Sequence, residues 1–211
     1  MTKETDKAFD RVMDQLLKRG LLLESDAAFP NVCTLITGER MRGSWWAHPL
    51  AQRIFEVNEK LEDHPDVLIT KLLSGKVTFV HRNIWPELFA IGRRREPWQM
   101  RELSNDAKQT WKLVEQAGSV RTDRITSIPA KEIGSAVREL ERKLLICSRQ
   151  FHTESGKHAK FLETWEDCAK RLGFEVSEVR DARERLKALV DELNHEFNAK
   201  AVLPWLKETK P

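Results

Sequence analysis

Residues 104–165 read SNDAKQTWKLVEQAGSVRTDRITSIPAKEIGSAVRELERKLLICSRQFHTESGKHAKFLETW. Ser104 is a good helix N-cap, and Asp106 puts a carboxylate in the first turn, where the helix dipole favours it. Ala107, Trp111, Val114 and Ala117 recur at helical spacing as a buried face, and Gly118 closes that helix. Val120 to Ile128 contains Arg121 and Arg124 and supplies a short strand or a tight helical turn. Pro129 opens a second helix with Ile133, Val137, Leu140 and Leu144 on one side. Leu144-Leu145-Ile146 leads into an extended run ending at Phe151-His152, and Thr153-Glu154-Ser155-Gly156 is turn chemistry. Beyond the turn two periods compete. Ala159, Leu162, Trp165, Ala169 and Leu172 recur at helical spacing, and Ser155 is able to cap a helix there. A second hairpin strand instead needs an extended run. We expect a short strand near 157–161 and a helix from about Glu163. Helix, link, helix, strand, turn and strand is the order of a winged helix-turn-helix.

The second helix has an informative outer face. At about 100° per residue, Lys131, Ser135, Arg138 and Arg142 fall in one stripe opposite the apolar residues. Glu132 and Glu139 flank it on one side and Glu141 on the other. A recognition helix needs an apolar back and long polar side chains in front, because Arg grips guanine edges or phosphate and Lys and Ser reach phosphates or base edges. Any amphipathic surface helix also has a polar face, so the stripe gains weight from the elements after it. A wing rides on the DNA backbone or dips into the minor groove, and Arg149, His152, Lys157, His158 and Lys160 suit that role. Residues 120–160 hold nine basic and five acidic side chains, an excess of four, against +3 for the whole chain.

On the N-terminal side, Thr5 is placed to cap a helix carrying Ala8, Val12 and Leu16, with Gly20 as its left-handed end. Leu21 to Leu23 reads as a short buried strand or linker, and Val32 to Ile36 as a short apolar run closed by Thr37-Gly38. A helix from near Pro49 aligns Leu50, Ile54, Val57 and Leu61 until His64-Pro65 stops it. Val67-Leu68-Ile69 and Val77 to Val80 flank Ser74-Gly75, which predicts a β-hairpin near 66–82. Pro86 opens a further helix through Leu88, Phe89 and Ile91. It ends in Arg93-Arg94-Arg95, which suits the negative end of the dipole. On the C-terminal side, Ser177 to Ala199 reads as a helix with Val179, Ala182, Leu186, Leu189 and Leu193 stepping by three and four. Packing back onto the chain is the favoured outcome for this stripe, and a homodimer seam is the alternative. The expected fold is α+β, mostly α. It comprises an N-terminal α/β region (1–100), a winged helix-turn-helix domain (101–174) and a long amphipathic C-terminal helix with its tail (175–211).

Composition excludes several classes. The chain has 211 residues, 40% hydrophobic and 33% charged, enough for a real core under a solvated surface. Its 36 basic and 33 acidic residues are too evenly balanced to imply a nucleic-acid partner without local clustering. The three cysteines, Cys33, Cys147 and Cys168, give no disulfide framework, and MTKETDKAFDR lacks the apolar core of a signal peptide. Both point to the cytoplasm. No run approaches the ~20 apolar residues that span a bilayer, so no membrane partner is expected.

Other chemistry finds little support. Cys147, His152, His158 and Cys168 lack the paired spacing of structural zinc sites, so no metal is expected, with the cysteines in the core and the histidines on the wing. Ser155 is not in a nucleophile elbow, and Glu154 with His152 or His158 lies on one turn. The glycines are isolated, so no phosphate loop and no cofactor are indicated. Trp45-Trp46 beside His48 reads as core and staple, with stacking of a base or sugar as the alternative.

LERKLLICSRQFHTESGKHAKFLETW looks like winged-helix regions of bacterial proteins related to the AlkZ/YcaQ crosslink-repair DNA glycosylases, over about Ser104 to Leu172. GSWWAHP and KVTFVHRNIWP look like parts of a small bacterial family without an assigned mechanism. The resemblance implies double-stranded DNA as partner, in repair or regulation. It also implies a glutamine-rich catalytic motif, Q-x-Q or Q-x-D. This chain has no such triplet, since Gln99 is followed by Met100 and Arg101. A DNA binder is therefore favoured over a glycosylase-like enzyme, and a winged helix that docks a protein is the third reading.

Overall fold

The computed structural model describes residues 3–41, 43–154 and 156–209. Ser155, expected in the hairpin turn, lies outside the described residues. The elements in chain order are α1 (Lys3–Arg19), β1 (Leu21–Leu23), α2 (Val32–Thr37), α3 (Ala51–Glu62), β2 (Val67–Thr70), β3 (Thr78–His81), α4 (Trp85–Arg93), α5 (Pro97–Met100), α6 (Asn105–Ala117), β4 (Ser119–Arg121), α7 (Ala130–Arg142), β5 (Cys147–His152), β6 (His158–Glu163), α8 (Trp165–Arg171) and α9 (Ala182–Phe197). The fold is α+β, with helices dominating and two three-stranded antiparallel sheets among the described residues. None of the described helices is long and apolar enough to cross a membrane. The chain divides into two compact units, residues 1–85 with 183–203 and residues 86–182 with 204–211.

In the first unit β3 lies between β1 and β2, pairing Leu21 with Val80 and Val67 with His81. The expected hairpin is β2–β3, and its turn holds Ser74 and Gly75 at φ of 54° and 72°. Val12, Leu16, Leu22, Val32, Ile54, Val57, Leu61 and Phe79 form the core. Gly20 ends α1 at φ 74°, and its N–H donates to the Leu16 carbonyl at 2.8 Å. Thr5 is not a cap. It lies inside α1, buried, and its hydroxyl donates to Glu56 at 2.8 Å, because the helix already runs from Lys3. The C-terminal helix is also shorter than its sequence pattern. It starts at Ala182, past the non-helical Ser177–Val179. Ala182, Leu186, Val190 and Leu193 are buried within the single chain, and Leu189 is only half-buried. A helical turn of 3.6 residues carries a step of four better than the 3.5-residue heptad over this length.

In the second unit α6 packs on α7, and β6 lies between β4 and β5. Ser104 caps α6 by accepting the Ala107 N–H at 3.2 Å. Thr110 joins Ala107, Trp111 and Val114 on the buried face, whereas Ala117 is exposed at the last turn. The link after α6 supplies both expected forms, the strand β4 and a one-turn 3-10 helix at Thr122–Arg124. The competition after the turn resolves to a strand over 158–163, followed by α8. Thr164 caps α8 by accepting the Asp167 N–H at 3.1 Å.

Candidate nucleic-acid interface

Ile133, Ala136, Val137 and Leu140 hold the back of α7 in a core with Trp111, Val114, Leu145 and Leu162. That locks the helix rotation and leaves Lys131, Ser135, Arg138 and Arg142 exposed on the other side. The four fall within ~60° of one another at 100° per residue. Lys131 makes a 3.7 Å pair with Glu132, both in solvent and worth little. Arg138 and Arg142 make no ion pair among the described residues, so their guanidinium groups are available. Glu139 beside the stripe is engaged elsewhere, accepting the Ser104 N–H at 2.9 Å and its hydroxyl at 2.7 Å.

The angle between α7 and the β5–β6 hairpin is set by the turn after Arg142. Leu144 adopts φ 51° there, which is uncommon for a side-chain-bearing residue, and is fully buried. Its carbonyl accepts from Gln99 Nε2 at 3.0 Å and from Trp165 Nε1 at 2.8 Å. Trp165 meets Phe89 edge-on at 5.2 Å, and a Cβ on Gly92 would fall 2.4 Å from its ring. A glycine in α4 thus lets the indole seat against the helix backbone.

Strand alternation divides the sequence-predicted wing residues. Register pairs Arg149 with Phe161, Gln150 with Lys160 and His152 with His158. Side chains point to opposite faces in turn, so His152, His158 and Lys160 share the face of core residue Leu162, and Arg149 lies on the other. Lys160 reaches back to Glu141, a buried carboxylate on α7 that also accepts the Ser148 hydroxyl at 2.6 Å. One acid therefore ties the helix end to both hairpin strands. Arg149 lies 4.0 Å from the Phe161 ring centroid, and Arg121 lies 4.6 Å from that of Phe151 while making a forked pair with Asp123 at 3.0 and 2.7 Å. His158 Nδ1 accepts from Gln150 Nε2 at 2.7 Å, and its ring lies 4.4 Å from that of His152. At the tip, the Thr153 N–H donates to the Lys157 carbonyl at 2.8 Å, Gly156 sits at φ 76°, and Lys157 is exposed.

The structure thus brings Lys131, Ser135, Arg138 and Arg142 onto one helix face and His152, His158 and Lys160 onto one hairpin face, and it sets Arg149 apart. Glu141 was missed because a glutamate on a polar helix face reads as solvated; its signal was Ser148 and Lys160, each one strand away. Arg93, Arg94 and Arg95 each have internal partners, Glu166 at 3.1 Å, the Val179 carbonyl at 2.9 Å and Glu115 at 2.8 Å. Cys147 and Cys168 are buried, and burial together with the neighbouring Cys168 thiol pushes the Cys147 thiol well above the ordinary range. His152 is five strand residues away, roughly 17 Å at strand rise.

Among known proteins, the family model described as AlkZ related matches residues 7–207. No curated protein and no solved structure matches the chain.

Proposed function

The chain belongs to the AlkZ-related family, and from that premise we propose that it binds double-stranded DNA through a winged helix, in repair or regulation. The order α6, β4, α7, β5, β6 and the strand order β4-β6-β5 support the fold reading. The observation that carries the function is the basic stripe of α7, exposed and, among the described residues, free of ion pairs at Arg138 and Arg142, on a helix whose opposite face is fixed in the core. In this reading α7 lies in the major groove, with Arg138 and Arg142 on phosphate or guanine and with Lys131 and Ser135 on phosphates. Lys157 at the hairpin tip and the His152–His158 pair meet the backbone. Lys160 and Arg149 have other work, the first as counter-ion to Glu141 and the second stacked on Phe161, so they shape the hairpin more than they touch DNA.

Fluorescence anisotropy with a labelled random duplex tests the reading. Four phosphate contacts give a slope of log K against log salt of about −3.6, so affinity falls ~150-fold between 50 and 200 mM salt. No binding at micromolar protein and low salt contradicts it and favours a winged helix that docks a protein.

Family membership also supports a second reading, a glycosylase-like enzyme acting on damaged DNA. The missing Q-x-Q or Q-x-D triplet means that its catalytic group would differ from the one the resemblance implies. Release of a base from alkylated or crosslinked duplex, read as alkali-labile abasic sites, separates an enzyme from a binder.

A further inference from the structure

The hairpin tip carries two titratable rings in contact. His152 and His158 stand directly opposite each other across β5 and β6, their ring centroids 4.4 Å apart and the planes tilted by 52°. Both are exposed, and neither makes an ion pair among the described residues. Histidine as a residue type changes charge between pH 5 and 8, whereas the lysines and arginines of the proposed DNA surface stay charged throughout. Two neutral rings pack without penalty at this separation, but two imidazolium rings repel each other.

The hairpin is built to hold the pair in either state. Gln150 Nε2 donates to His158 Nδ1 at 2.7 Å, so the neutral ring carries its hydrogen on Nε2. Once Nδ1 is protonated as well, the same amide turned about presents its oxygen and the contact survives. The charges around the pair come from four segments. Lys160, next on the same face, is tied to Glu141 of α7. Lys157 at the turn is exposed and makes no ion pair among the described residues. Glu154, also exposed at the turn, acts on the charge of Arg121 at the end of β4, and Arg121 in turn holds Asp123. Arg149 lies on the opposite face of β5, over Phe161. The four cations outnumber the three acids before either ring is charged. An anion seated against both rings is what relieves the repulsion of a charged pair.

We infer that His152 and His158 form a proton-linked phosphate clamp: a duplex phosphate seats against the two rings, and binding draws protons onto them. The inference rests on the DNA reading and names how that surface is regulated. The bound protein holds more protons than the free one, so affinity for duplex rises as pH falls and bound duplex favours the charged rings by the same factor.

The test measures anisotropy with a 16-base-pair duplex over a salt series at pH 5.5 and at pH 8.5, in wild type and in His152→Gln/His158→Gln. The wild-type slope of log K against log salt should be steeper at pH 5.5 by between about 0.9 and 1.8, for one or two imidazolium–phosphate contacts. Affinity at a fixed salt concentration should be about 10-fold higher or more at pH 5.5. The double variant should keep one slope at both pH values, equal to that of wild type at pH 8.5, and should melt like wild type there because both side chains are exposed. The histidines at 48, 64, 81 and 195 are common to both proteins and cancel in the comparison. Calorimetry at pH 6.5 in two buffers of different ionisation enthalpy should show protons taken up on wild-type binding and fewer taken up by the double variant. A wild-type slope that does not change with pH, or an equal steepening in the double variant, overturns the inference and leaves the duplex reading standing. Absence of duplex binding at both pH values overturns the duplex reading, and the inference falls with it.

Discussion

Removing the amine of Lys160 separates two accounts of that residue, as a DNA contact and as the counter-ion that holds the hairpin to α7. The Glu141 side chain is 5% exposed and that of Lys160 32%. Glu141 Oε2 is buried and has no partner, so without Lys160 the carboxylate keeps only the Ser148 hydroxyl. Breaking a fully buried pair from one side costs about 3–5 kcal/mol. The lysine is one-third in solvent, which brings the expected loss down to roughly 2 kcal/mol. Lys160→Met keeps the aliphatic stem and removes the charge, which isolates the electrostatic part. Adding Glu141→Gln should then recover most of the loss, because the buried charge goes with its partner. Urea unfolding of wild type, both single variants and the double variant gives the coupling energy. Anisotropy on the same proteins gives the salt slope, which should stay at the wild-type value in Lys160→Met. A variant as stable as wild type whose slope has fallen by about 0.9 would make Lys160 a phosphate contact and not the counter-ion of Glu141.

Three other outcomes follow from local geometry. Gly92→Ala drives a methyl against the buried Trp165 ring and should cost about 1–3 kcal/mol by overpacking, seen as a lower urea midpoint; an unchanged midpoint would show that the indole has room to move. Lys157→Ala, at the exposed hairpin tip, should leave stability within ~0.5 kcal/mol of wild type and lower the salt slope by about 0.9, and an unchanged slope removes the tip from the interface. Burial holds the Glu24 carboxyl above its ordinary 4.5, against the Trp45 hydrogen bond and Lys71 charge that pull it down. The folded state therefore binds this proton more tightly than the unfolded state, so stability falls as pH rises from 4.5 through the raised value. Glu24→Gln stays neutral and removes that fall. Its stability relative to wild type should thus be higher at pH 7 than at pH 4, and an equal difference at both contradicts the assignment.

Local pattern carried far where one period dominated. Ile133, Val137 and Leu140 against Lys131, Arg138 and Arg142 defined α7 and its free face, since a helix with one apolar stripe has one way to sit on a core. The hairpin was legible despite Ala159, Leu162 and Trp165 at helical spacing. All six residues of β6 pair with β5 and Phe161, Leu162 and Glu163 pair with β4 as well, and tertiary pairing outweighs a weak helical period. The β1–β3 pairing was not legible, because it joins Leu21–Leu23 to residues more than 50 positions away. Nor were the roles of Lys160 and Arg149, where alternation along a strand sends neighbours in composition to opposite faces. Trp45 and Trp46 are indistinguishable as letters, and only the packing around Phe55 and Glu24 buries one and leaves the other out.

In the proposed function the α7 stripe grips DNA, and the salt dependence of duplex binding in Arg138→Ala/Arg142→Ala reads that grip. Both residues are exposed and make no ion pair among the described residues, so the melting temperature should match wild type. The slope of log K against log salt should become shallower by about 1.8, with weaker binding at every salt concentration below the convergence point. A double variant that melts like wild type and binds duplex with the wild-type slope and affinity would contradict the account.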